Sequence, residues 1–374
     1  MGSAYTPGLT VSGDTVVRRT RRLPIKGEVL VKVGDIVGPD DIVARAMLPG
    51  PQQAIKLAEE LGVEAGEVKG FFKLNIGDSV EAGQLVAETK GMFGGWFRKE
   101  VHSKHAGTIE SISEITGHVL VREPSIPVEI PAYIRGTVAE AIPSEGAVIE
   151  ARCAMVQGIF GVGGERNGPV RLAVGTPDDL LEAKHVLEDD KGKVLVGGSG
   201  VTIEAVRRAV QVGAVGIVVG AVRDVDLTEF LGYDIGVAIT GQEDISLTLV
   251  ATEGFGKLRM AQRTFDLLKS LEGRQASVNG ATQIRAGVIR PEIIVPFTQS
   301  ADAGQAQEPI LALAPGTPIR VIREPYFGQL GKVTGLPSQP QTVDSGARVR
   351  VLQAKLDDGQ EVTVPRANVE IIAG

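Results

Sequence analysis

Apolar and polar positions alternate over short stretches through the first 150 residues and again through the last sixty. Between them lie short, unbroken apolar runs. Alternation with period two predicts half-buried strands, and runs such as Ala214–Val219 predict strands covered on both faces. In the last sixty residues Ile319 and Val321 precede a loop carrying Pro325, Gly328 and Gly331. Val333 follows, and Ala347–Leu356 and Glu361–Val364 flank the turn Asp357-Asp358-Gly359. These signals predict a small, strongly bent β-barrel over 315–374.

From Leu23 to about Ala151 one phrase recurs. Residues 30–44 and 72–87 each place an apolar strand before Gly-Asp, a Val two residues later, a second turn and a second apolar strand. Gly supplies positive φ and Asp a side-chain acceptor for such turns. Residues 136–149 read as a third, weaker copy, and Gln52–Leu61 as a short amphipathic helix. Residues 1–22, small, polar and punctuated by Gly and Pro, read as a flexible arm.

The middle changes character. Lys193–Gly198 is a short apolar strand, Thr202–Val212 a helix capped by Thr202, and Ala214–Val219 a buried strand. Asp224–Leu231 is a short helix, Ile235–Thr240 a third strand and Lys257–Leu271 the best helix of the chain. Strand and helix alternating at this spacing predict a Rossmann-like parallel α/β domain over 171–300. Ligands of such sheets sit at the carboxyl ends of strands, so Gly197, Gly198, Ser199 and Gly200, with Thr240, Gly241 and Arg285, are candidates to hold a phosphate or carboxylate.

Two stretches carry resemblances. Ile319 and Val321 on the strand, with Gly328, Gly331 and Val333 after it, resemble the KOW-type SH3-like barrel of ribosomal and transcription-elongation proteins. That implies contact with nucleic acid or protein through Arg320, Arg323, Tyr326, Phe327, Arg348 and Arg350, and no chemistry of its own. The repeated Gly-Asp phrase, with His105–Ile112 after it, resembles the barrel-sandwich hybrid of biotinyl and lipoyl carriers. In a carrier the modified lysine sits at a hairpin tip. Here the candidate, Lys90, lies 16 residues before Ala106 in a non-matching setting, so no prosthetic group is expected. The hairpin is enlarged instead into Gly91–Lys99, where Met92, Phe93, Trp96 and Phe97 stand beside Arg98 and Lys99. This aromatic tip either docks a partner or folds back on the sheet. As a whole the chain resembles a bacterial multidomain family through Gly236–Gly241, Thr252–Gly256 and Asn279–Gly287, a likeness that implies no activity.

Composition narrows the classes. Of 374 residues 43% are hydrophobic and 4% aromatic, and 48 are Gly, which suits turn-rich strands with Val and Ile cores. The net charge of −7 opposes broad phosphate-backbone binding, although Arg18-Arg19-Thr20-Arg21-Arg22 is locally basic. The single cysteine, Cys153, permits no intrachain disulfide and fits a reducing cytoplasm as a small buried residue. No apolar run approaches the ~20 residues of a membrane span. Histidines 102, 105, 118 and 185 form no zinc set, and no P-loop or nucleophile elbow is present.

The expectation is a multidomain β plus α/β protein: arm 1–22, barrel-sandwich hybrid 23–170, Rossmann-like α/β domain 171–300, linker 301–314 and SH3-like barrel 315–374. It would serve as a cytoplasmic adaptor that binds a protein partner, or nucleic acid through the C-terminal barrel. The alternatives are an enzyme or sensor for a phosphorylated small molecule at the glycine corners, and a lipoyl- or biotin-type carrier.

Overall fold

A computed structural model describes residues 9–89, 98–233, 241, 243, 245–283, 289–297, 313–321, 325–326, 329–337, 339–342 and 348–371. Its main feature is one mixed sheet of eleven strands. In chain order these are β1 (Val11–Arg22), β2 (Ile36–Val37), β3 (Gly136–Ile142), β4 (Gly146–Gln157), β5 (Phe160–Val162), β6 (Glu165–Leu172), β7 (Val194–Val196), β8 (Gly216–Val222), β9 (Thr248–Phe255), β10 (Gln275–Asn279) and β11 (Glu292–Pro296). The spatial order is β5-β9-β8-β7-β6-β10-β11-β4-β3-β2, with β1 paired along β4.

The Rossmann-like expectation is overturned here. Strands β6, β7, β8 and β9 are parallel to one another. They are bounded by antiparallel β5 on one side and antiparallel β10 and β11 on the other. They therefore belong to a sheet shared with the β-rich half, not to a separate doubly wound domain. Strand β6 runs across residue 170. Helices are few among the described residues: α1 (Leu57–Leu61), α2 (Val68–Phe71), α3 (Ile203–Val212), α4 (Asp224–Leu231) and α5 (Gln262–Ser270). The connection from β6 to β7 holds a two-residue strand, Leu180–Leu181, and two single 3₁₀ turns, so one of the crossovers lacks an α-helix. The local reading of α3 matches its observed range: Thr202 caps it, its Oγ1 accepting from Ala205 N at 3.2 Å. The expected strand Ile235–Thr240 lies outside the described residues, and β9 was missed because its Thr-Glu-Gly ending reads as a turn.

Residues 11–22, expected as a loose arm, form β1 and pair with β4 from Val11↔Val156 to Arg22↔Gly146. Past the register shift between Ser12 and Thr15 its side chains alternate between faces, and its run of arginines hid it from composition.

The two Gly-Asp phrases fold into equivalent turns. Lys32 N donates to Asp35 Oδ2 at 2.8 Å, and Asn75 N to Asp78 Oδ2 at 2.7 Å. Gly34 and Gly77 hold φ +91° and +94°, which only glycine adopts without strain. Gly34 N donates to Val138 O and Gly77 N to Ile109 O, at 2.9 and 2.8 Å; Val138 N and Ile109 N return the bond to Asp35 O and Asp78 O, both 2.9 Å. The second unit lies between the paired strands Ile42–Leu48 and Ile126–Pro131 of the first. One module is nested in the hairpin of another, each with its own core. Residues 136–149 are not a third copy: β3 is the partner of the first turn, as Gly107–Ile112 is of the second.

The last part is a five-stranded antiparallel sheet built from β12 (Pro318–Val321), β13 (Leu330–Gly335), β14 (Val351–Leu356), β15 (Glu361–Pro365) and β16 (Val369–Ile371), in the order β15-β14-β13-β12-β16. Alternation puts Leu352, Ala354, Leu356, Val362 and Val364 inside.

Candidate functional site

The carboxyl ends of the parallel strands were the expected ligand end, and each corner there meets the chain itself. At the end of β7, Gly197 N donates to Val218 O (2.8 Å), Ser199 N to Asp179 O (2.9 Å) and Ser199 Oγ to Asp178 O (2.8 Å). A Cβ on Gly198 would lie 2.4 Å from Asp179 O and 2.5 Å from Thr176 O. Gly200 is paired in register with Leu180. The turn 175–179 fills this corner, and it is tied down in turn. Asp179 Oδ2 accepts from Thr176 N at 2.8 Å and Gly175 N at 3.1 Å, bonds that hold its carboxyl below the usual range. The backbone N–H groups of Gly197 and Ser199 are thus taken by carbonyls of the chain itself.

At β8 the same occurs. A Cβ on Gly220 would stand 2.5 Å from Leu258 O and 2.6 Å from Met260 N. At β9 the C-terminal sheet arrives: Arg320 donates to Glu253 Oε2 through NH2 and to Thr252 O through NH1 at 3.3 Å. Both side chains of this ion pair are buried. Arg320 therefore faces inward and is not a surface contact for nucleic acid.

The second expected corner lies before β9. Gly241 N and Gly163 N both donate to Glu243 Oε2 at 2.8 Å, so these two amides already hold a carboxylate from the chain. Thr240 and Arg285 lie outside the described residues. So do Lys90, Met92, Phe93, Trp96 and Phe97 of the aromatic hairpin, and Arg323, Phe327 and Gly328 of the C-terminal loop. Tyr326 is half-buried against the C-terminal core. Arg348 and Arg350 are exposed, as are Lys332 and Lys355, which stand directly opposite each other on β13 and β14.

The basic run of β1 is neutralised residue by residue. Arg18 pairs with Glu150, Arg19 with Glu292, Arg21 with Glu165 and Arg22 with Glu145. Cross-strand spacing puts a glutamate within reach of each arginine, which removes this run as a phosphate-binding stripe.

One ionisable cluster escaped the sequence reading. Tyr133 lies in the loop before β3 at φ +70°, in the left-handed region that a bulky side chain avoids. Its N–H donates to Pro39 O (2.8 Å) and its carbonyl accepts from Ser277 Oγ (2.6 Å). Its buried hydroxyl donates to Glu292 Oε1 at 3.3 Å, and Arg19 Nε donates to the same oxygen at 2.8 Å. Burial first, and the Glu292 charge second, push the phenol well above its ordinary range, so it stays a proton donor. Arg21 lies over the ring, 5.4 Å from its centre. Cys153 is buried beside this cluster, and desolvation pushes its thiol up to about 12. The groups satisfy one another and tie β1, β11 and the module loop together. No sequence motif marks a tyrosine that will take positive φ.

Among the described residues no three His, Cys, Asp or Glu side chains are grouped to hold a metal ion, and no helix is long and apolar enough to cross a membrane. No protein-family model matches the sequence, and no curated protein matches it.

Proposed function

We propose that the protein is a non-catalytic adaptor, a rigid assembly of β modules that presents surfaces to a macromolecular partner. The observation that carries this reading is the occupation of the parallel strands' carboxyl end. Backbone of 175–179, backbone of 258–260 and the guanidinium of Arg320 take the three corners where such a sheet would receive a small molecule.

Two features support a docking role. Val33 and Ile76, at the equivalent turns of the nested modules, are 65% and 64% exposed, and Ile36 on β2 is 77% exposed. Apolar side chains displayed at turn tips suit contact with a protein. The C-terminal sheet adds exposed Lys332 and Lys355, and exposed Arg348 and Arg350 lie just before β14. The like charges of Lys332 and Lys355 directly opposite one another cost stability, an arrangement that an anionic partner would relieve. A cytoplasmic location completes the reading, supported by the lone buried thiol of Cys153.

The test is affinity purification of the full chain from native extract beside a Val33→Asp, Ile76→Asp variant. The reading expects a stoichiometric partner that the variant fails to retain, with the variant's thermal unfolding unchanged. Equal recovery by both chains would remove the turn tips from the interface.

A further inference from the structure

We propose that the carboxylate of Glu253 and the carbonyl of Thr252 form a receptor for one guanidinium group, filled in cis by Arg320. The receptor half is organised without its occupant. Glu253 Oε1 accepts from Ala261 N, at the start of α5, at 3.1 Å, and lies 3.1 Å from Thr252 Oγ1, whose single proton it shares with Val219 O at 3.2 Å. That leaves Oε2 and Thr252 O turned toward the C-terminal sheet, where the two terminal nitrogens of Arg320 meet them. Two acceptors side by side fit the planar fork of a guanidinium and not the point charge of an ammonium.

Both charges are buried. An ionised carboxylate at that depth without a cation is strongly disfavoured, so with Arg320 elsewhere Glu253 must take up a proton or a replacement cation, and the paired acceptors favour a guanidinium. It lies at the carboxyl end of a parallel strand and beside the first turn of a helix, where sheets with this strand arrangement take ligands. Arg320 thus anchors the C-terminal sheet to β9, and an arginine side chain of a partner is the group that exchanges with it. The identity of that exchanging group rests on the adaptor reading; the receptor itself does not.

The test uses the full chain with Arg320→Ala, or Arg320→Met if the first variant does not fold, and reads thermal unfolding. The variant should lose roughly 5–15 °C. Millimolar methylguanidinium should restore at least half of the loss, methylammonium should not, and a Glu253→Gln, Arg320→Ala chain should respond to neither. No restoration, equal restoration by methylammonium, or restoration in the double variant would overturn the receptor. The peptide Gly-Arg-Gly should act like methylguanidinium. Restoration by free arginine alone would overturn exchange with a partner's arginine, and would leave the adaptor reading to its own test.

Discussion

The hydroxyl of Tyr133 donates to Glu292 Oε1 at 3.3 Å while the tyrosine backbone is held at φ +70°. A left-handed tyrosine is a cost that its surroundings must offset. Here the offset comes from the bonds to Pro39, Ser277 and Glu292, and from burial of the ring under Arg21. The loop is thereby fixed against β1 and β11, which seats the first module on the large sheet. Tyr133→Phe should cost about 1–2 kcal/mol, the price of one buried hydrogen bond to a charged acceptor. Glu292→Ala, which leaves Arg19 without its carboxylate, should cost about 3 kcal/mol. Urea unfolding of the two variants checks both the order and the gap.

Cys153 gives a pH signature. Its thiol ionises near 9 in the unfolded chain and near 12 in the folded one, so the folded state keeps the proton over that interval. The unfolded state loses its proton first, and stability contributed by the neutral thiol falls as pH rises from about 9 toward 12. Cys153→Ala should flatten the alkaline limb of the stability profile. In the native protein the thiol should stay unmodified by iodoacetamide at pH 8 and react fully in denaturant.

Glycines of different kinds should respond differently to alanine. Gly77 has φ +94° with open space around it, so Gly77→Ala should cost about 1–2 kcal/mol of backbone strain alone. At Gly198 the new methyl meets two carbonyl oxygens inside 2.6 Å. Gly198→Ala must therefore displace the 175–179 turn, and its loss should exceed that of Gly77→Ala in thermal unfolding. Equal losses would mean that the turn yields freely.

The nested modules make a symmetrical prediction. Asp35 and Asp78 each accept one backbone N–H at the same place in equivalent turns. Asp35→Ala and Asp78→Ala should each cost about 1 kcal/mol. Because the modules have separate cores, the two costs should add in the double variant.

Local chemistry was legible in the sequence wherever a residue acts on its own neighbours. Thr202 as a cap, the Gly-Asp turns and the α4 range follow from such short-range bonds. The sheet that unites the two halves was not legible. Strand β6 pairs in parallel with β7 on one side and antiparallel with β10, a hundred residues away, on the other, and no spacing rule announces the second partner. The arginines of β1 misled for the same reason, since their glutamates lie on β4, β6, β11 and the turn before β4. Gly197–Gly200 look the same in sequence whether they cradle a phosphate or let a turn approach. The closeness of Thr176 and Asp179 to Gly198 is visible only in the fold.

The central claim is that the chain itself fills the carboxyl end of its parallel strands. The most direct measurement is thermal unfolding of the full protein across nucleotides, sugar phosphates and small carboxylates at millimolar concentration. A ligand that binds the folded state raises the midpoint by mass action. The account predicts no concentration-dependent rise for any of them. A saturable rise whose bound ligand protects residues 175–179 and 197–200 from amide exchange would contradict it.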